Sequence, residues 1–177
     1  LFWESRRGKK IQLAFLDSYE LRFTSPFSVE LVLHEKPVLG YVRYMSAGFY
    51  FDSELRVVES VQKAIPGYPE IVGLKTGNVA IGALLLSDDE KGRTIVGNLL
   101  LNLRKNDVCA DRISFDSAYR ATLSCGEITV LFGGSQDTEE RCKDLSTALP
   151  RLEGAAGILD FQERRADGTY SFRPAQP

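Results

Sequence analysis

The chain has 177 residues, with 22 Lys or Arg and 24 Asp or Glu, so its formal net charge at pH 7 is −2. This near balance, without a basic stripe, argues against a nucleic-acid partner. No apolar run approaches the roughly 18 residues that a membrane-spanning helix needs, and the length suffices for one or two small domains with a real core.

The first predicted elements are a short helix and two strands. Apolar residues at 11–16 predict the helix, and the strands are predicted at 21–23 and 27–35. In the second strand Phe27, Val29, Leu31 and Leu33 alternate with polar residues, which is typical of a strand with one buried face. Pro37 cannot donate to a ladder, so we expect a boundary there, between residues 1–37 and residues 38–174.

Residues 38–59 are rich in strand formers and contain a predicted hairpin around Ser46-Ala47-Gly48. A connector with four Pro and Gly residues follows at 60–74. Ser87-Asp88-Asp89-Glu90 has the pattern of a capping box, in which Ser87 caps the next helix and Glu90 reaches back. An apolar stripe then predicts about four helical turns. Its members are Ile95, Val96, Leu99, Leu100 and Leu103.

The C-terminal half predicts a meander, a second helix and two further strand segments. Two-residue loops between strands at 112–116, 119–124 and 127–132 force antiparallel neighbours. A capped helix follows at 138–149 and stops at Pro150. The strand segments at 157–163 and 169–172 are separated by an Asp167-Gly168 turn. These elements together predict an α+β fold, with two amphipathic helices covering a mostly antiparallel sheet.

No set of residues indicates an active site, and we predict no catalytic activity, no cofactor and no metal. His34 is the only histidine, and it lies on the polar side of its predicted strand without a partner suggested by the sequence. The acidic runs at 88–90 and 137–140 stand at helix starts, where capping and the helix dipole account for them. Gly133-Gly134-Ser135 before a helix lacks the lysine of a phosphate-binding loop.

The three cysteines leave two alternatives open. They show no CxxC spacing, so zinc is not expected, and Cys142 falls on the apolar face of its helix. If the 112–116 and 119–124 strands turn at Ser117-Ala118, Cys109 comes nearly opposite Cys125. Those two residues form a disulfide, as the extracytoplasmic space permits, or remain two free thiols.

Three phrases along the chain, in their order and spacing, resemble the extracytoplasmic part of the FtsQ/DivIB family of bacterial cell-division proteins. They are Val32-Leu33-His34-Glu35-Lys36-Pro37, Tyr50-Phe51-Asp52, and Ile65-Pro66 through Gly73-Leu74. The resemblance runs from about Phe2 to Phe172. It implies that residues 1–37 are the C-terminal part of a POTRA domain and that residues 38–174 are the β domain. It also implies that a cytoplasmic tail, one transmembrane helix and the first part of the POTRA domain precede this sequence.

The resemblance further implies a non-catalytic divisome scaffold, anchored by a single span in the cell membrane and folded on the extracytoplasmic side at the division septum. In that family the β domain holds the coiled-coil proteins FtsB or DivIC and FtsL, largely through its C-terminal strands. The physical route is addition of a partner strand to an open sheet edge. Two alternatives are a small-ligand-binding or hydrolytic α+β domain, for which no residues stand out, and a transport POTRA module.

Alternation along 157–163 identifies the predicted partner-binding residues. Leu159 and Phe161 carry the larger apolar surface and are expected in the core, which leaves the intervening side chains available. Tyr170 and Phe172 lie two apart on one face, and aromatic residues are favoured interface anchors. The predicted site consists of Ile158, Asp160, Gln162, Tyr170 and Phe172. The segment 169–172 departs from the family pattern, because as a further strand it covers the edge that a partner would use. Three alternatives follow: the partner displaces this segment, the partner pairs with its outer edge, or the segment only packs against the core.

Overall fold

The computed structural model of the protein describes residues 16–25, 27–35, 37–165 and 168–175. These residues divide into two units between Pro37 and Val38. Each unit has a sheet of its own, of two strands in the first and nine in the second.

The first unit contains an antiparallel hairpin of β1 (Leu16–Ser25) and β2 (Ser28–Glu35), in which Leu21 lies opposite Leu31. Leu21 is 56% exposed, and Val29 and Leu31 are each 55% exposed. The prediction that the second strand buries this face is therefore wrong for these side chains. Alternation of apolar and polar residues defines one apolar face of a strand, but that face is buried only if a second layer packs on it. A two-stranded hairpin does not supply such a layer by itself.

Other predictions for this unit have mixed outcomes. Leu16 begins β1, so it belongs to a strand and not to the predicted helix, whose other residues (11–15) lie outside the described part of the chain. The first strand is also longer than the predicted 21–23. The side chain of His34 is outside the description as well. The identification of this unit as part of a POTRA domain stays a prediction.

The described residues of the second unit form nine strands, two helices and a short 3-10 turn. The helices are α1 (Glu90–Lys105) and α2 (Thr138–Ala148), and the 3-10 turn is Leu149–Leu152. The strands are β3 (Gly40–Tyr44), β4 (Ala47–Phe51), β5 (Val57–Val61), β6 (Glu70–Val72), β7 (Arg112–Phe115), β8 (Ala121–Cys125), β9 (Ile128–Gly133), β10 (Gly157–Asp160) and β11 (Ser171–Pro174).

The nine strands form one sheet in the order β11-β10-β9-β8-β7-β6-β3-β4-β5. Five of its eight neighbouring pairs are antiparallel, and the pairs β3–β6, β6–β7 and β9–β10 are parallel. The predicted α+β fold, with a mostly antiparallel sheet and two helices, is confirmed. The predicted β7-β8-β9 meander is also present, but Arg112 pairs with Ser124. This register brings Asp111, and not Cys109, opposite Cys125, which corrects the predicted alignment of the two cysteines.

The core lies between one face of this sheet and the two helices. Helix α1 buries Val96, Leu99, Leu100 and Leu103, and helix α2 buries Cys142 and Leu145. The helix cap of α1 differs from the prediction, because Asp89 and not Ser87 is the N-cap: its Oδ1 accepts a 2.7 Å hydrogen bond from the Gly92 N–H. Tyr119 donates its hydroxyl proton to the other carboxylate oxygen at 2.6 Å, and these two bonds lower the pKa of Asp89. Neither helix, nor any other in the described part of the chain, is long and apolar enough to cross a membrane.

We expect the hairpin of the first unit to open more readily than the centre of the large sheet. Its apolar side chains Leu21, Val29 and Leu31 are more than half exposed, whereas Ile113, Leu123 and Val130 of β7, β8 and β9 are at most 1% exposed. Hydrogen exchange should therefore be faster for amides of β1 and β2 than for amides of β7 to β9. Equal protection in both places would contradict this prediction.

Gly73 should be sensitive to substitution by alanine. Its φ is +83° and an added Cβ would lie 1.9 Å from the carbonyl oxygen of Phe115, so Gly73→Ala both strains the backbone and pushes β7 away. Urea denaturation should show a loss of more than about 2 kcal/mol in the free energy of unfolding. Gly77→Ala is the matched control, because its Cβ meets nothing within 4 Å, and it should change that free energy by less than about 0.5 kcal/mol.

Candidate functional site

The candidate site is the outer edge of the sheet at β11, which among the described strands has a neighbour on one side only. Backbone directions in β10 fix which groups of β11 point outward. The N–H groups of Gly157 and Phe161 donate to Glu127 and Leu131 of the β9 side, so the even-numbered residues of β10 point towards β11. Ala175 donates to Ala156 at 2.8 Å, which agrees with this alternation.

The register then assigns the outward groups of β11. Ser171 pairs with Asp160, and Arg173 pairs with Ile158, so the backbone groups of Ser171 and Arg173 are used by β10. Phe172 directs its N–H and C=O groups away from β10, where they can accept a further strand, whereas Tyr170 lies one residue before β11. Pro174 also points outward, but it offers only a carbonyl because it has no N–H. The open ladder is therefore short and centred on Phe172.

The side chain of Tyr170 fixes the start of β11 against the core. Its ring stacks on that of Phe161 with 3.7 Å between the centroids and an interplanar angle of 8°. Its hydroxyl donates to Asp144 Oδ2 of α2 at 3.1 Å. Burial, and then this hydrogen bond, raise the pKa of Tyr170, so the phenol stays protonated at neutral pH. The edge strand is thus attached to helix α2 as well as to β10.

A cluster of charges surrounds this attachment. Arg164 lies 2.6 Å from Glu140 Oε1 and 3.7 Å from Asp144 Oδ2, and its Nε donates to the carbonyl of Gly168 at 3.1 Å. The hydrogen bond to Glu140 is the main cause of a raised pKa of Arg164. These groups are substantially exposed, so we expect each ion pair to contribute little to stability by itself. Their common effect is to orient the turn that leads into β11.

Arg141 holds the inner side of the same region. Its Nη2 donates to the carbonyl of Phe161 at 2.8 Å and its Nη1 to that of Gly134 at 3.0 Å, while its guanidinium lies 4.3 Å from the ring centroid of Phe132. Burial lowers its pKa. Its Nε is buried without a hydrogen-bond partner among the described residues. This residue joins α2 to the carbonyl of Phe161, whose ring stacks on that of Tyr170.

The five predicted site residues occupy different positions around this edge. Leu159 and Phe161 are in the core as expected, at 4% and 0% exposure, and Ile158 is 38% exposed on the opposite face. Asp160 lies beside it and forms a 3.9 Å ion pair with Arg173. Both belong to β10, which is an interior strand, and Gln162 lies exposed just after it. Tyr170 and Phe172 belong to the edge segment, but their rings pack against the core.

The residues that sequence reasoning missed are Arg141, Asp144 and Arg164. A signal for part of this cluster exists, since Glu140 and Asp144 are four residues apart on one helix and Arg164-Arg165 precede the predicted turn. Alternation along a strand cannot reveal a contact between a helix and a turn 20 to 26 residues away. Among the described residues, no group of three or more His, Cys, Asp or Glu side chains could hold a metal ion.

No protein-family model and no curated protein matches this chain. The resemblance to the FtsQ/DivIB family therefore stays a prediction that depends on the order and spacing of the three sequence phrases.

Replacement of Tyr170 by Ala should loosen β11 selectively. Without the ring, the ladder between β10 and β11 loses its attachment to Phe161 and Asp144, so the amides that it protects should exchange at least about tenfold faster. Those amides belong to Ile158 and Asp160, whereas the amides of Leu159 and Phe161 face β9 and serve as controls in the same strand. Tyr170→Phe keeps the stack and should change these rates much less. Uniform acceleration along β10 would contradict this assignment.

Proposed function

We propose that this protein is a non-catalytic scaffold of the bacterial divisome that recruits the coiled-coil proteins FtsB or DivIC and FtsL through the outer edge of β11. The proposal places the chain on the extracytoplasmic side of the cell membrane at the division septum, attached by a helix outside this sequence. It rests on the sequence resemblance for the identity of the partners and on the geometry of the edge for the mode of binding.

The observation that carries the proposal is the open backbone ladder of β11 at Phe172, just after the Tyr170 ring that stacks on Phe161. An edge strand with unpaired N–H and C=O groups is a template for another strand, and such pairing supplies affinity through main-chain hydrogen bonds. The ring stack on Phe161 holds this template in place before a partner arrives. An edge that is already ordered loses less conformational entropy on binding, which favours affinity.

Side chains beside the ladder supply a second part of the interface. On the face opposite the helices, Ser171 and Arg173 of β11 lie beside Asp160 and Ile158 of β10. Arg173 is 63% exposed in its side chain, and Ile158 is the exposed apolar residue of this group. A strand that pairs with β11 would project alternate side chains over this surface, so Ile158 and Asp160 contribute from an interior strand without offering backbone groups.

The direct test removes one outward N–H. Phe172→Pro deletes the outward donor but leaves the bonds of Ser171 and Arg173 to β10, and Phe172→Ala is the matched control for loss of the ring. Calorimetry with the extracytoplasmic domains of the coiled-coil partners should show that Phe172→Pro binds at least tenfold more weakly than Phe172→Ala, a difference of about 1.4 kcal/mol. Glu127→Ala, at the turn between β8 and β9, should bind like the parent chain.

Two other proline variants are less suitable as tests. Ser171→Pro removes an N–H that points to β10, and Gln162→Pro alters the end of an interior strand. Both variants therefore disturb the fold itself, and weaker binding by either would not identify the binding edge. If Phe172→Pro stays folded and binds the partners as tightly as Phe172→Ala, the β11 edge is not the binding site. If the parent chain captures none of these coiled-coil domains, the proposed partners are wrong.

A further inference from the structure

Cys109 and Cys125 lie together on a groove that the proposed scaffold function does not use. Both residues are free thiols, Cys109 exposed and Cys125 half-buried. They line the same groove of about 530 Å³, whose opposite wall includes Leu149 and Leu152 of the 3-10 turn. The third thiol, that of Cys142, is 0% exposed in the core.

Hydrogen bonds at the end of the β7–β8 pair define how the two cysteines are related. The Asp111 N–H donates to the Ser124 carbonyl at 2.8 Å, and the Gly126 N–H donates to Asp111 Oδ2 at 2.8 Å. Asp111 is thus directly across from Cys125, and Cys109 is its diagonal neighbour, two residues earlier. Diagonal neighbours within a regular ladder stand roughly 7–8 Å apart, against roughly 4.4–6.8 Å between the Cα atoms of a disulfide, but Cys109 precedes β7 and is not held at the ladder spacing.

The segment that carries Cys109 is irregular, which allows Cys109 to move closer to Cys125. It lies between the end of α1 at Lys105 and the start of β7 at Arg112, and belongs to neither a helix nor a strand. Its only described side-chain contact at Cys109 is a long one, 3.9 Å from Sγ to the Asp107 carbonyl. Val108 is buried in the core and Ala110 packs against it, so the approach is made by the exposed Cys109 itself, through its side-chain rotamer and a small local shift of its backbone.

We propose that Cys109 and Cys125 form a thiol–disulfide exchange site for low-molecular-weight disulfides, with Cys109 as the attacking and Cys125 as the resolving residue. The Cys109 thiolate attacks one sulfur of the small disulfide R–S–S–R, forms a mixed disulfide and expels RS⁻. The deprotonated Cys125 then attacks Cys109 Sγ, forms the Cys109–Cys125 bond and expels the second RS⁻. Two protein thiols are oxidised and one small disulfide is reduced to two thiols, with the protein protons released to solvent.

The surroundings of the two sulfur atoms explain why Cys109 attacks first and Cys125 resolves the mixed disulfide. The exposed Cys109 is reached first by a small molecule in solution. Burial raises the pKa of Cys125 to about 11, and the nearby Asp111 and Cys109 add to that shift. Since the thiolate is the nucleophile, the second step is slow at neutral pH and accelerates as pH rises towards this pKa. The mixed disulfide on Cys109 therefore accumulates near neutral pH.

The product would add a covalent bond between two parts of the fold that the reduced chain joins only by the hydrogen bonds of Asp111. The segment after α1 would be tied to the end of β8 at Cys125. A cross-link of this loop length restricts the unfolded chain and should raise Tm, by roughly 5 to 10 °C where native geometry is not strained.

The test uses the full 177-residue chain, fully reduced and then exposed to oxidised glutathione at pH 7. Mass spectrometry should find one glutathione on Cys109 as the first product. After removal of free glutathione and a jump to pH 9, that adduct should convert to a chain two hydrogens lighter than the reduced form, with Cys109 joined to Cys125 in the peptide map. The conversion rate should rise about tenfold per pH unit between pH 7 and 9, as the fraction of thiolate does.

Two variants make the result decisive. Cys125→Ser should keep the glutathione adduct at every pH, because no resolving thiol remains, and Cys142→Ala should behave like the parent chain. Glutathione that stays on Cys109 of the parent chain at pH 9, first attack at Cys125, or a conversion rate independent of pH would each overturn the proposal. A bond that involves Cys142, or links two chains, would overturn it as well.

Discussion

Strand β6 is the joint on which the large sheet depends. It has only three residues, and it pairs in parallel with both β3 and β7. Without it the sheet would separate into the β3-β4-β5 meander and the five strands from β7 to β11. Glu70 strengthens the joint across the three strands, because its carboxylate lies 3.2 Å from Arg43 Nε of β3 and 2.8 Å from Arg112 Nη2 of β7.

The environment of Glu70 shows which side-chain interactions stabilise β6, whose three residues form few backbone hydrogen bonds with β3 and β7. The hydrogen bond from Arg112 is the main reason that the pKa of Glu70 is lowered, and that from Arg43 adds to it. A lowered folded-state pKa means that the stabilisation is present above the unfolded pKa and is lost as the pH falls through the folded value. On the other face, Ile71 is 2% exposed in the core. The three residues therefore contribute an ion-pair bridge on one side of the sheet and apolar packing on the other.

This joint also marks the limit of what the sequence could predict. The β7-β8-β9 meander and both helices follow from local signals, namely alternation, short loops and apolar stripes, and all of them are present. Strand β6 lies in the connector that its Pro and Gly residues marked as turns, and its partners β3 and β7 are about 30 and 40 residues away. Parallel pairing across such distances leaves no periodic trace. The hairpin of β1 and β2 shows the opposite error. The alternation correctly predicted a strand, but the apolar face that it defined was expected to be buried and is exposed at Val29 and Leu31.

At the candidate site, too, the sequence predicted the local features and not those that depend on distant parts of the chain. Alternation placed Leu159 and Phe161 in the core correctly, and it identified Ile158 and Asp160 as the opposite face. It could not show that β10 is an interior strand, since that depends on the return of the chain at β11. Nor could it show that the Tyr170 ring points inward to Phe161 and Asp144, because those contacts require helix α2 to be in place.

The two ends of the large sheet differ in a way that bears on where a partner strand can bind. At the β5 end, the chain covers the start of its own edge: Val57 donates to the Ala83 carbonyl at 2.8 Å and accepts from the Gly82 N–H at 2.7 Å, and Arg56 forms a bridge with Leu84. Further along β5, the Ser60 N–H donates to the carboxylate of Glu59 at 3.0 Å. At the β11 end, the last strand lies outermost, and Pro174 limits the ladder on its C-terminal side. Cover at one edge and a proline at the other both restrict unspecific pairing. At the β11 end, the outward N–H and C=O groups of Phe172 lie between Pro174 and the Tyr170 ring, which stacks on Phe161, so a partner strand would meet a segment that is attached to the core.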